Sequence, residues 1–202
     1  MIGAGHEDLI MLNRLQNLVI HTSRTWWLYL SVVVLFAGSL LALLRIGELF
    51  PAHAAGNLPF DLQNGLAAAD VYPQIATYTA AARNLYYAFT LIDYAFPFFA
   101  GLFIAATAAF ALRNSLPKAY AALAGRNLLP VFMLGTVFDW LENLAALGVI
   151  SLYPVETSGL PFVLVLAKKL KLVCVMSGQA AMLLLLVYAA GNWLARKLRI
   201  SR

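Results

Sequence analysis

The chain has 202 residues, 62% of them hydrophobic and 11% charged, with a mean hydropathy of +0.80 and a net charge of +5. Soluble domains carry about 45–50% apolar and about 25% charged residues, so a composition this apolar belongs to a membrane-embedded chain and excludes an ordinary soluble domain. The basic residues gather at the ends of apolar runs, as topology determinants and headgroup contacts, which points to membrane lipids as partners and away from nucleic acid.

In chain order, the first feature is HEDLIMLNRLQNLVIHTSR, which places Leu9, Leu12, Leu15 or Gln16, and Val19 at helical intervals. That spacing predicts a short amphipathic helix on the cytoplasmic face, with a packed tail as the alternative. Four apolar runs then reach the about 20 residues needed to cross a hydrocarbon core. Span one covers residues 26–46, uncharged between Arg24 and Arg45, with Trp26, Trp27 and Tyr29 where an interfacial aromatic belt belongs. The PAHAAG that follows resembles a small-residue cleavage site, so a leader removed after Ala54 is a second reading of this span. A leader's apolar core is typically about 7–15 residues, and this run is longer, which favours a retained helix.

Residues 50–84 form the largest piece outside the spans, more than a connection in a compact domain needs. Asp61 after Pro59, and Asp70 shortly before Pro73, are helix-start signals, so one or two short helices are expected over the outer mouth of the bundle. Span two covers 85–112, interrupted by Asp93 and by Pro97, whose missing N–H predicts a kink and a freed carbonyl near Asp93. Span three covers 128–150 and contains FDWLEN. Span four covers 161–194, long enough that its first turns stand outside the bilayer or tilt. Arg14, Arg24, Arg113, Lys118, Arg126, Arg196, Lys197, Arg199 and Arg202 fall on one side, against Arg45, Arg83, Lys168, Lys169 and Lys171 on the other. The positive-inside rule therefore puts both termini in the cytoplasm, most simply across a bacterial inner membrane. The expected fold is all-α: a single polytopic membrane four-helix bundle over 1–202, with short outer-loop helices.

The chemistry concentrates in span three. An acid at the centre of a spanning helix costs about 2.5–3.5 kcal/mol, so Asp139 and Glu142 together consume the gain from about ten apolar residues. Asp139 and Glu142 are i,i+3, and Asp139 and Asn143 are i,i+4, so all three share one helix face with Gly135 and Ala146. Small residues let a neighbouring helix approach, and the polar ones become interhelical contacts. Two ionised carboxylates one turn apart repel in a low dielectric unless a cation intervenes. At about 1.5 Å rise per residue, Glu142, Asp93 and Lys171 fall at similar depths in the outer half, from three different helices. Lys171 supplies the cation, and Tyr87 and Asn143 are further wall residues. The candidate ligand-binding set is thus Asp93, Asp139, Glu142, Asn143, Lys171 and Tyr87. On span four, Lys171, Cys174, Gly178 and Ala181 continue a small-to-polar stripe.

Several chemistries are excluded or lack a signal. Cys174 is the sole cysteine, which rules out a disulfide framework and a CxxC pair, and with them quinone-coupled thiol oxidation. His6, His21 and His53 all lie outside the spans, so paired haem ligation within the bilayer is excluded. No cofactor or metal site is read from the sequence.

Two signatures carry a family resemblance. Tyr87, Asp93, Phe96 and Pro97 in span two, and Leu129 and Pro130 followed by Asp139, Glu142 and Asn143 in span three, resemble a group of uncharacterised bacterial four-span membrane proteins with D..FP and LP...D..EN patterns. This resemblance, over residues 78–146, implies the four-helix fold and brings no activity. The chain is also similar to the EXPERA superfamily, the sterol-isomerase group, through FDLQ, the Tyr72–Pro73 pair and an acid shortly before PFF; span three has no counterpart to DWLEN there. That similarity implies Asp93 and Glu142 as the acid and base of a double-bond isomerisation. Three functions follow as expectations: binding of a small or lipophilic ligand in an outer polar pocket, an intramembrane isomerase using paired carboxylates, or an accessory subunit whose polar stripe is closed by pairing. Four spans are few for a monomeric transporter, so carriage would require a homo-oligomer.

Overall fold

The computed structural model describes residues 4–200, with side chains from 10 to 198. The chain is all-α: helices α1 (Ala4–Arg24), α2 (Trp26–Leu49), α3 (Val71–Ala76), α4 (Ala80–Ser115), α5 (Pro117–Gly125), α6 (Leu134–Leu152) and α7 (Gly159–Ile200), joined by short 3-10 turns. Among the described residues, four segments are long and apolar enough to cross a membrane: Trp26–His53, Ala80–Ser115, Leu129–Leu152 and Gly159–Leu198. Three of the expected spans fall within these segments and span three, 128–150, begins one residue before its own, while α4 and α7 extend beyond the apolar runs at both ends. Two compact units result, and α2, α4 and α7 contribute residues to both.

The first unit comprises residues 1–33, 100–134 and 174–202. Helix α1 forms where the apolar spacing predicts it, and part of the expected stripe, Gln16 and Val19, packs. Gln16, Val19, Thr22 and Ser23 are buried, whereas Leu12 is 40% exposed alongside exposed Met11 and Leu18; the side chain of Leu9 lies outside the described residues. Of the two candidates at its turn, Leu15 and Gln16, it is Gln16 that is buried. Its amide donates to Ala124 O at 2.8 Å and its carbonyl accepts from Leu129 N–H at 3.1 Å, so one side chain serves the end of α5 and the following turn, Leu129–Met133. Helix α5 opens on Pro117, whose missing N–H costs nothing in a first turn. It closes at Asn127, whose φ of 54° is left-handed and lets Leu128 N–H return to Leu123 O at 2.9 Å. A run of buried alanines in α4, Ala105, Ala106, Ala108, Ala109 and Ala111, lets its neighbours pack close.

The second unit comprises residues 34–99 and 135–173. The segment between α2 and α4 is a packed cap. Its 3-10 turns Phe60–Leu62 and Ala68–Asp70 precede α3, and Phe60, Val71 and Ile75 share one buried cluster with Phe50, Tyr86, Val149, Ile150 and Leu164. Phe50 meets Tyr78 edge to face at 5.2 Å and Tyr86 at 5.8 Å. Rings of this size contribute about 1.5–3 kcal/mol each when removed from water, enough to fix a segment that connection alone would leave loose. Ala54, the last residue of the leader reading, is fully buried in this cluster. Asp70 starts a helix by a different route from the one expected. Its carboxylate accepts from Ala67 N–H at 3.3 Å, closing the preceding 3-10 turn, and it makes no side-chain cap on α3.

Candidate functional site

The site is built in the second unit from α4, α6, α7 and the Phe60–Leu62 turn. Pro97 lies inside α4, which continues through it as one helix. Proline has no N–H to return to the carbonyl four residues back, so the carbonyl of Asp93 is left without its helical partner. Asn143 supplies one: its Nδ2 donates to Asp93 O at 3.2 Å and approaches Asp139 Oδ1 at 3.4 Å. Two further bonds lock α6 to the same stretch of α4, Thr136 Oγ1 to Pro97 O at 2.7 Å and Trp140 Nε1 to Tyr94 O at 2.9 Å. The proline thus sets where α6 binds, and α6 in turn fixes the depth of its acids.

Helix α7 brings two lysines on one face, Lys168 and Lys171, both buried. The Lys171 ammonium contacts Asp61 Oδ1, Glu142 Oε2 at 2.6 Å and Asp139 Oδ2 at 3.5 Å. Lys168 Nζ donates to Phe60 O at 2.5 Å and Asp61 O at 2.8 Å, and stands 3.8 Å from Glu142 Oε1. The Phe60 carbonyl also accepts Gln63 N–H at 3.1 Å, so the ammonium uses its second lone pair. Gly47 in α2 leaves room beside this turn: a Cβ there would come within 2.8 Å of Leu62 Cδ1.

Four carboxylates, from Asp61, Asp93, Asp139 and Glu142, therefore gather around two ammonium groups, an excess of two negative charges when all are ionised. Asp93 is 1% exposed, and its Oδ2 has no hydrogen-bond partner. One carboxylate oxygen from each of Asp61, Asp93 and Asp139 lies within 4.8 Å of the other two, close enough to share one cation. An all-oxygen donor set suits Mg²⁺ or Ca²⁺ better than a transition metal. Here Lys171 already engages Asp61 and Asp139, so a divalent ion would compete with that ammonium for the same oxygens.

Of the residues expected from sequence, Asp139, Glu142 and Lys171 meet directly, Asn143 joins them through Asp139, and Asp93 faces Asp61 and Asp139. Tyr87 does not join them; it is 41% exposed and its hydroxyl meets Ser151 Oγ at 3.3 Å. Its neighbour Tyr86 is the buried ring, 5.6 Å from Phe60. Two members escape the sequence reading. Lys168 had a signal, three residues before Lys171 on the same helical face, but counts there as a boundary charge. Asp61 has none in spacing or hydropathy, because it reaches the site from a turn outside the spans. Above the site, Tyr78 is buried with its hydroxyl unpartnered, and that burial pushes its phenol well above the ordinary range. No family model matches the chain, and neither does any curated protein or solved structure.

Proposed function

We propose that the protein is an integral inner-membrane protein, both termini cytoplasmic, that binds a small ligand carrying a cationic or hydrogen-bond-donating group at the buried acidic site of its outer half. The observation that carries this reading is the excess of acidic groups: four carboxyl groups against two lysines, with an oxygen of Asp93 buried and unpartnered. Uncompensated charge in a low-dielectric interior is costly, so such a site recruits a cation, a protonated group or a proton. Phe60, Tyr86 and Phe89 stand close by as apolar wall, which suits a ligand with a lipophilic body. Both oxygens of Glu142 lie within ion-pair distance of a lysine, whereas buried Asp93 Oδ2 has no hydrogen-bond partner; this favours binding at Asp93 over passing a proton between Asp93 and Glu142.

Topology gains support from the same pairing. With Lys168 and Lys171 buried in the site, they no longer count as loop charges, and the basic balance becomes nine against three in favour of cytoplasmic termini. The test of function is purification in mild detergent followed by mass spectrometry of co-purifying small molecules, comparing the natural chain with Asp93→Asn and Asp139→Asn. A stoichiometric molecule lost from both variants, with their unfolding midpoints unchanged, is the expected result. Variants that lose only stability, with no molecule found in the natural protein, would make the cluster a packing device and the chain an accessory subunit.

A further inference from the structure

The first unit holds a cavity of about 480 Å³ that shares no residue with the acidic site. Its polar rim comes from the junction of α1 and α2, including Ser23, Arg24 and Trp26, and from Arg113 in the last turn of α4; Phe103 and Leu186 are among its apolar walls. Arg113 is held in place. Its Nη2 donates to Ser23 O at 3.2 Å, its Nη1 approaches Ser23 Oγ at 3.4 Å, and its guanidinium lies 5.8 Å from the Phe110 ring centre. Those two bonds use part of a five-donor fork and leave the rest for a ligand.

Two arginines, and no acid among the described residues, contribute to the lining of this cavity. The space therefore favours an anion, and arginine's planar fork matches phosphate oxygens two at a time. Below the arginines the lining turns apolar, which suits an anion that brings hydrocarbon with it. Arg24 precedes the first apolar span and Arg113 ends the second, so both stand at the membrane boundary where the other basic residues gather. Trp26, 77% exposed, supplies the amphipathic ring characteristic of that level. Basic pockets between helices on the cytoplasmic side suit anionic headgroups.

We infer that this cavity binds the phosphodiester headgroup of an anionic phospholipid, with Arg24 and Arg113 taking the phosphate charge and an acyl chain lying against Phe103 and Leu186. Because Arg113 holds the carbonyl of Ser23, the bound lipid also fixes the junction between α1 and α2.

Native mass spectrometry of the full chain, stripped of lipid in mild detergent, tests this with phosphatidylglycerol and phosphatidylcholine of identical acyl chains, and with inorganic phosphate as a competitor. Phosphatidylglycerol is expected to bind about tenfold more tightly than phosphatidylcholine, whose phosphate is the same but whose quaternary ammonium adds a cation beside two arginines, and millimolar phosphate should not displace it. Arg24→Gln and Arg113→Gln should each reduce that preference about tenfold. Lys118→Gln, an exposed basic residue outside the cavity, should leave it intact. Equal binding of the two lipids, displacement by inorganic phosphate, or an equal loss in Lys118→Gln would each overturn the inference. Arg24 is exposed, so its variant keeps the test open if the loss of Arg113 disturbs folding.

Discussion

Lys171→Met tests the electrostatic core of the site most directly. Methionine keeps much of the length and apolar stem of lysine but deletes the ammonium that contacts Asp61, Glu142 at 2.6 Å and Asp139 at 3.5 Å. With an effective dielectric of about 20, the latter two contacts are worth about 6 and about 5 kcal/mol in gross Coulomb energy. Returning the ammonium to water offsets most of that, but the carboxylates left behind have nothing comparable to pair with. Breaking a buried pair by removing one partner costs about 3–5 kcal/mol, and that is the expected loss here. The assay is SDS-induced unfolding in mixed micelles, followed by fluorescence of the four tryptophans. Glu142→Gln in the same background removes one of the stranded charges, so the double variant should be more stable than the sum of the singles by at least about 1 kcal/mol. A loss under about 1 kcal/mol in Lys171→Met, or strict additivity in the cycle, would refute the assignment of Lys171 as the counter-ion of this cluster.

Three other outcomes follow from neighbouring geometry. Asn143→Ala should cost about 1–3 kcal/mol by stranding the Asp93 carbonyl, and that cost should shrink in a Pro97→Ala background, where residue 97 regains the N–H that α4 lacks; equilibrium unfolding of the four proteins measures both. Millimolar Ca²⁺ should raise the unfolding midpoint of Lys171→Met and leave the natural protein unchanged, because the ammonium and a divalent ion compete for Asp61 and Asp139. Tyr78→Phe should be at least as stable as the natural chain, since it deletes a buried hydroxyl without a partner. Burial raises the Tyr78 pKa in the fold, so the folded state keeps a proton that the unfolded chain releases above about pH 10. Stability should therefore fall as pH rises beyond that point, and Tyr78→Phe should lose that part of the alkaline dependence.

Sequence carries the parts of this arrangement that repeat along one helix. Hydropathy finds four spans because each is a continuous apolar run, and helical periodicity puts Asp139, Glu142 and Asn143 on one face because they lie three and four residues apart. Pro97 is legible for the same reason: its chemistry acts four residues back, within its own helix, and it is the freed carbonyl of Asp93 that Asn143 finds. What spacing cannot supply is the choice between two adjacent tyrosines across a long-range contact. Tyr87 and Tyr86 differ by one position, about 100° around the helix, and the sequence reading takes the exposed one. Helix α1 follows the same pattern: spacing leaves Leu15 or Gln16 open, and Gln16, with two backbone partners more than a hundred residues away, is the one that packs.

Asp61 belongs to neither category, and it changes how the site has to form. Asp93, Asp139, Glu142, Lys168 and Lys171 all belong to apolar spans, each an unfavourable insertion on its own, and they compensate one another only when α4, α6 and α7 have come together. Even then Lys168 has Glu142 alone at 3.8 Å; its closer partners, the carbonyls of Phe60 and Asp61, arrive with the outer turn. The turn is held by the packing of Phe60 against Tyr78 and Tyr86, so an aromatic cluster with no charge of its own completes the pairing of two buried lysines. The Asp61 side chain is 17% exposed, against 7% for Asp139 and 1% for Glu142, which makes it the carboxylate nearest to solvent. In the proposed function, a ligand approaching from solvent would meet Asp61 first. It would have to compete there with Lys171, and the oxygen left open at Asp93 gives it somewhere to go.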